Sequence, residues 1–194
     1  MSIPEAVEKA VERGENKLTA IYIAVLAVLL AICAMGDDDA SQTAVRANIA
    51  AADTYAFYQA KNIRQTEYQL QADAFDAQLL DPALPDPSRK FLSEKLAAYK
   101  GRVARYESEP ETGEGKKELL AKAKALEAER DLALQRDPYF NIGQGSLQIA
   151  IVLASVSLIV SGSLLLWLSA LLGVIGALAT ANAYMLLVAV PFLT

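Results

Sequence analysis

Three consecutive carboxylates, Asp37, Asp38 and Asp39, invite a metal-binding reading. Successive residues on a helix point about 100° apart, so three neighbours converge on one cation only from an irregular loop that supplies further oxygen ligands. The alternating acidic spacing of a calcium loop is absent. There is no histidine, the single Cys33 lies inside an apolar run, and no glycine-rich phosphate loop occurs. The usual metal, nucleophile and nucleotide constellations are therefore missing, and the sequence nominates no catalytic residue, metal ligand or cofactor. One polar and aromatic cluster stands out, Tyr58, Gln59, Lys61 and Arg64, which would share part of a helix surface. It is a candidate partner-contact face, although a charged helix face with snorkelling side chains more often means only solvation.

The elements that carry these residues follow from how charge is distributed. Of 194 residues, 54% are hydrophobic and 21% charged. The two characters are segregated: positions 18–35 and 146–194 contain no charge, and every acid and base lies in 1–17 or 37–145. A hydrocarbon core about 30 Å thick needs roughly 20 apolar residues in a helix, so the first run supplies one span and the second supplies two. Expected spans are 18–35, 146–168 and 171–192, with the last turn near Trp167 to Gly173. Within this hairpin Ser157, Ser161, Gly173, Ala177 and Ala181 form small-xxx-small pairs, the spacing that lets helix backbones approach closely in lipid.

The first span reads as a retained anchor. Residues 1–17 mix Lys9, Arg13 and Lys17 with four glutamates and form an amphipathic segment, unlike the short basic leader of a secretory signal. Three basic residues before the span, against three aspartates after it, favour a cytoplasmic N-terminus with 37–145 exported; Arg130 and Arg136, just before the second span, pull the other way. Gly36 reads as a helix stop. Asp39 followed by Gln42 reads as an N-cap with its partner three residues on, restarting a helix at Ala40.

The segment 36–145 reads as helix, over about 40–81, 88–107 and 116–136. From Ala40 to Leu80 there is neither proline nor glycine. Val45, Ile49, Ala52, Ala56, Ile63, Leu70, Ala77 and Leu80 fall on alternating steps of four and three, a heptad seam interrupted by Gln59, Thr66 and Asp73. "DPALPDPS" forces a turn. The next helix repeats the seam with Leu92, Leu96, Tyr99, Val103 and Tyr106. "SEPETGEGKK" breaks it, and a last helix offers Leu119, Ala123, Leu126 and Ala133. At 1.5 Å per residue the first helix measures roughly 60 Å and the later two roughly 30 Å each, matching one arm to a returning pair. The expected fold is an all-α membrane protein: three transmembrane helices, with an extended antiparallel, coiled-coil-like hairpin between the first and second.

"TYAFYQAKNIRQTEYQLQAD" at 54–73, with "FNIGQGSLQIAIVLASVSLI" at 140–159, resembles a bacterial membrane family catalogued as a domain of unknown function, number 4337. The resemblance spans nearly the whole chain. It implies a multi-pass bacterial membrane protein and brings no activity or catalytic residue. Function is thus expected to be structural or interactive: a self-associating anchored helical protein, or an accessory subunit of a larger membrane assembly in the bacterial inner membrane. The alternative is a small transporter or channel subunit, whose polar groups in the spans would be Ser155, Ser157, Ser161, Ser163, Thr180 and Asn182. No ionisable residue accompanies them. The partners expected are the lipid bilayer and further copies or complex subunits. A net charge of −5 argues against nucleic acid.

Overall fold

A computed structural model of the protein describes residues 3–160 and 163–188, with side chains from Lys17 onward. The described residues form four helices and no strand: α1 (Ile3–Leu79), α2 (Asp86–Glu107), α3 (Lys116–Ser157) and α4 (Ser163–Met185). They divide into two compact units, one of residues 1–44 with 131–194, the other of residues 45–130.

The first unit contains the early part of α1, the late part of α3, and α4. Each of these helices is long and apolar enough to cross a membrane by length and composition. Side chains sort by size. Ser169, Gly173, Gly176, Thr180 and Ala183 of α4 are buried, whereas Leu164, Trp167, Leu171, Val174 and Leu178 face outward. On α1, Leu26, Cys33 and Ala40 are buried, while Leu18, Ile21, Val25 and Val28 are exposed. On α4, small groups inside and large apolar groups outside is the packing expected of helices in hydrocarbon, and Phe140 and Leu147 of α3 are the large side chains buried beside it.

Two glycines fix the closest approach. A Cβ on Gly176 would stand 2.6 Å from Leu147 Cγ and 3.0 Å from the Gly143 carbonyl oxygen. A Cβ on Gly143 would meet Thr180 Oγ1 at 2.7 Å and Cys33 Sγ at 3.1 Å. Hydroxyls then bond across the contact. Ser169 donates to the Ala150 carbonyl at 2.7 Å, and Tyr22 stands 3.1 Å from the same serine oxygen. Tyr184 donates to the Ile32 carbonyl at 3.1 Å, and the Cys33 thiol to that of Phe140 at 3.4 Å.

Several expected boundaries shift. Gly36 does not stop a helix and Asp39 does not cap one, because α1 runs through both. Gly36 is a contact point: a Cβ there would lie 2.5 Å from the Tyr184 hydroxyl and 2.6 Å from the Phe140 ring. The helix expected to end at Arg136 continues as α3 to Ser157, through Pro138, which forgoes one backbone hydrogen bond. The turn between the last two spans follows Ser157, not Trp167. The end of α3 tightens, with Leu158 bonded to Ser155 and Ile159 to Val156, and α4 begins at Ser163. Ser169 and Gly173, expected at the turn, are inside a helix and serve packing. The last helix ends at Met185, where Asn182 holds the chain by donating to the Val188 carbonyl and accepting from its N–H, both at 2.9 Å.

Of the small residues expected to pack in the membrane, Gly173 is buried, against the Tyr22 hydroxyl and Leu26. Ser157 and Ala177 are half-buried, and Ala181 is exposed. Ser161 lies outside the described residues.

The second unit is built from α1 after Val45, from α2, and from α3 up to Arg130. The seams expected on the later helices hold. Leu92, Leu96, Tyr99, Val103 and Tyr106 are the half-buried line of α2, while Leu119 and Ala123 are buried on α3 with Leu126 half-buried. The seam expected on α1 does not. Val45, Ile49, Ala52, Ala56, Ile63 and Leu70 are all exposed. The packed line is instead Ala47, Ala51, Thr54, Tyr58, Lys61, Gln65, Tyr68 and Ala72, also spaced by fours and threes. The aromatic rings of α2 meet this side of α1 at Tyr68 and Phe75.

The glycine contact yields a direct test. Gly176→Val should overpack the junction with Leu147 and lower stability by about 1–3 kcal/mol, whereas Ala181→Val at an exposed site should leave it nearly unchanged. Unfolding in detergent micelles, followed by loss of helical circular dichroism, distinguishes the two.

Candidate functional site

The polar and aromatic cluster belongs to the second unit, and its position is set by two connections. After α1, residues 80–85 turn the chain. Arg89 donates to the Leu79 carbonyl at 3.0 Å and to that of Asp81 at 2.8 Å, satisfying groups that the helix end leaves open. After α2, residues 108–115 turn again, with Gly113 at φ +71°, a conformation that suits a residue without Cβ. The Glu118 carboxylate closes this second connection by accepting from the Ser108 hydroxyl at 2.6 Å and from the Glu109 N–H at 3.1 Å.

Contacts along α1 pair in opposite order with those on α2 and beyond. Asp76 meets Lys100, Gln65 meets Val103 and Glu107, and Lys61 meets Glu114. Aromatic rings fill the line between them. Tyr68 packs edge-on to Tyr99 at 5.1 Å and stacks on Tyr106 at 5.8 Å, and Phe75 lies 5.5 Å from Tyr99.

Lys61 is the least solvated cation of this set. Its side chain is 8% exposed, its ammonium lies 3.3 Å from the Glu114 carboxylate, and it sits over the rings of Phe57 and Tyr106 at 5.2 and 5.7 Å. A buried ammonium needs such compensation. One turn further, Gln65 donates to the Val103 carbonyl and to Glu107, both at 3.1 Å, and accepts from Lys116 at 2.7 Å. Lys116 also pairs with Glu107 at 3.4 Å and stands 5.7 Å from the Tyr58 ring.

The four residues singled out in sequence separate. Lys61 and Arg64 line one cavity of about 360 Å³, together with Phe57, Arg102, Arg105 and Tyr106. Tyr58 faces Lys116 instead, and Gln59 is exposed. Lys61 is buried, unlike a solvated face, whereas Arg64 is exposed. Arg102, Arg105 and Tyr106 were missed. Their signal was "RVARYE" at 102–107, where two arginines three apart flank the apolar seam of a helix that must return along α1. Arg105 pairs with Glu109 at 2.7 Å, and Arg102 lies over the Tyr68 ring at 5.1 Å while donating to its hydroxyl.

Asp37, Asp38 and Asp39 are spread around α1 in regular helix, and the described residues hold no group of three or more metal-ligand side chains. Asp37 is partly buried, and burial together with the neighbouring Asp137 pushes its carboxyl above the ordinary carboxylate value.

The geometry is that of an all-helical protein with three span-length helices and a polar, aromatic helical segment. The chain belongs to the DUF4337 family, a domain of unknown function, whose model matches residues 15–186. No curated protein and no solved structure matches it.

Two carboxylates give this unit a pH dependence. Hydrogen bonding from Gln65 and the charge of Lys116 hold Glu107 below its ordinary value, and the Ser108 hydroxyl and Glu109 N–H do the same for Glu118. A carboxylate depressed by folding stabilises the native state above its unfolded value, and that contribution is lost as pH falls through the folded value. Thermal unfolding should therefore be level from pH 7 to about 5 and then shift downward as pH drops below the ordinary value of 4.5. Glu118→Gln should flatten the acid limb; an unchanged limb in that variant would remove Glu118 from the account.

Proposed function

We propose that this chain is a membrane-anchored helical interaction protein that self-associates through the outward face of α1. One observation carries the reading: Val45, Ile49, Ile63 and Leu70 are 57%, 57%, 60% and 64% exposed while keeping heptad spacing. The second unit already has its packed line on another face, so this stripe has no partner within the unit. Single exposed apolar residues need no explanation, but a run repeating at coiled-coil spacing over several turns fits a facing helix of the same kind. Removing four such side chains from water contributes about 1 kcal/mol or more each, on each copy.

The occupant proposed is a second copy in parallel register, since two copies anchored in one bilayer share their direction. In that register Ile49, Ile63 and Leu70 meet their equivalents, and Gln59 and Thr66 supply polar positions that can fix alignment. Asp73 sets the far limit, because two carboxylates facing each other in the seam repel. The antiparallel, coiled-coil-like hairpin of α1 with α2 and α3 is the frame that presents the stripe. The three span-length helices are its anchor in a bacterial inner membrane, with the N-terminus cytoplasmic and the helical segment periplasmic, as Lys9, Arg13 and Lys17 favour.

Nothing favours a transport pathway over this reading. Ser155 and Thr180 donate to carbonyls one turn earlier in their own helices, Ser157 to that of Ala154, and Ser169 bridges two helices. These hydroxyls satisfy backbone and packing needs.

In a Cys33→Ser background, oxidation of membranes carrying Ile63→Cys should trap a disulfide-linked dimer, whereas Ala51→Cys, on the inward face, should give none. Ile63→Asp should abolish crosslinking by a bifunctional reagent while preserving helix content. Equal trapping at positions 63 and 51, or none at either, would overturn the self-association surface. Orientation has its own test. A cysteine at Thr112 should react with an impermeant maleimide in intact spheroplasts, and labelling only after lysis would place the helical segment in the cytoplasm.

A further inference from the structure

The cavity between α1, α2 and the connection after α2 is a different feature from the apolar stripe and stands without it. Its wall carries four cations, Lys61, Arg64, Arg102 and Arg105, and two carboxylates, Glu109 and Glu114. The carboxylates are already engaged, Glu114 with Lys61 at 3.3 Å and Glu109 with Arg105 at 2.7 Å. Two guanidiniums remain in excess. Arg102 is held against Tyr68 by its ring contact and its hydrogen bond to the hydroxyl, which orients the guanidinium without neutralising it. Arg64 has neither an ion pair nor a hydrogen bond among the described residues and is exposed at the cavity wall.

A chain of net charge −5 that gathers uncompensated arginines around a cavity creates a local field opposite to its overall one. Guanidinium forks match the oxygens of phosphate, and a volume of about 360 Å³ has room for a phosphate group with a small organic body. The rings of Phe57 and Tyr106 give that body an apolar surface to lie on. We infer that this cavity binds a small phosphate-bearing organic anion, with Arg64 and Arg102 on the phosphate.

The probe for the test is inorganic phosphate, titrated calorimetrically into the full chain in a non-ionic detergent at constant ionic strength. Saturable binding is expected, with a dissociation constant in the millimolar range for a group this small. Arg64→Gln and Arg102→Gln should each weaken it roughly five-fold or more, because each removes a charge-assisted contact. Lys90→Gln, a loss of one exposed charge outside the cavity, should leave it unchanged. Both arginines are exposed, so their glutamine variants should retain the parent's circular dichroism, and Arg64, which makes no ion pair or hydrogen bond among the described residues, gives the reading least coupled to folding. Absence of saturable binding would overturn the inference. So would equal weakening by Lys90→Gln, which would mean that the anion responds only to overall charge.

Discussion

Close approach of helices at small residues is the constraint on which the rest of this structure depends. Around Gly143 and Gly176 there is no space for a Cβ, and Leu147 fills what remains. Once backbones lie that near, the polar groups of neighbouring helices come within hydrogen-bonding reach, as Ser169 and Tyr22 do. The bulky side chains of α4 are left on its outer side, so Leu164, Trp167 and Leu171 face the surroundings. In water such a surface would be a liability. In hydrocarbon it costs nothing, because lipid tails are as apolar as leucine.

The same economy of bulk recurs on α1 beyond Val45, with a different result. Ala47, Ala51 and Ala72 are buried on the inward line, on which Tyr68 meets the rings of Tyr99 and Tyr106 of α2. The larger aliphatic residues of this part of α1, Val45, Ile49, Ile63 and Leu70, lie on another face. Specificity on the inward side comes from groups that an apolar seam would lack, among them Gln65 bonded on both ends of its amide and Lys61 held between Glu114 and two rings. A half-satisfied network of this kind would be worse than an apolar one.

Charge segregation and helix length made the all-helical content and the three span-length segments legible in sequence, and the seams of α2 and α3 could be read because each helix has only one apolar line in the second unit. α1 has two lines at the same spacing. Periodicity selects the bulkier, while the chain's own helices pack on the smaller, and no local signal ranks them. Boundaries failed for a related reason. Gly36, Ser169 and Gly173 are residue types that end helices in water, but here they are where another helix passes close. Pro138 and the run after Arg136 lie inside α3, since the remaining backbone bonds carry the helix across one missing donor. In the candidate site, Lys61 and Arg64 could be picked out as a cationic pair, but Arg102 and Arg105 join them only through the pairing of α2 with α1, a long-range fact.

Exposed apolar surface occurs on both parts of α1, and its distribution argues that the two parts meet different surroundings. Between Leu18 and Met35 the outward positions are apolar all round, with no charge among them, as suits a helix bathed in lipid. Between Val45 and Leu70 the exposed large aliphatic residues are confined to one stripe. Exposed Asn48, Asp53, Asn62 and Glu67 border it, and Arg46, Arg64 and Gln69 are among the other outward residues. A lipid surface would not tolerate those borders, and water alone gives no reason for a stripe that keeps heptad register over about seven turns. A facing helix accounts for both, because it needs one apolar line for contact and polar flanks to keep that contact a single file.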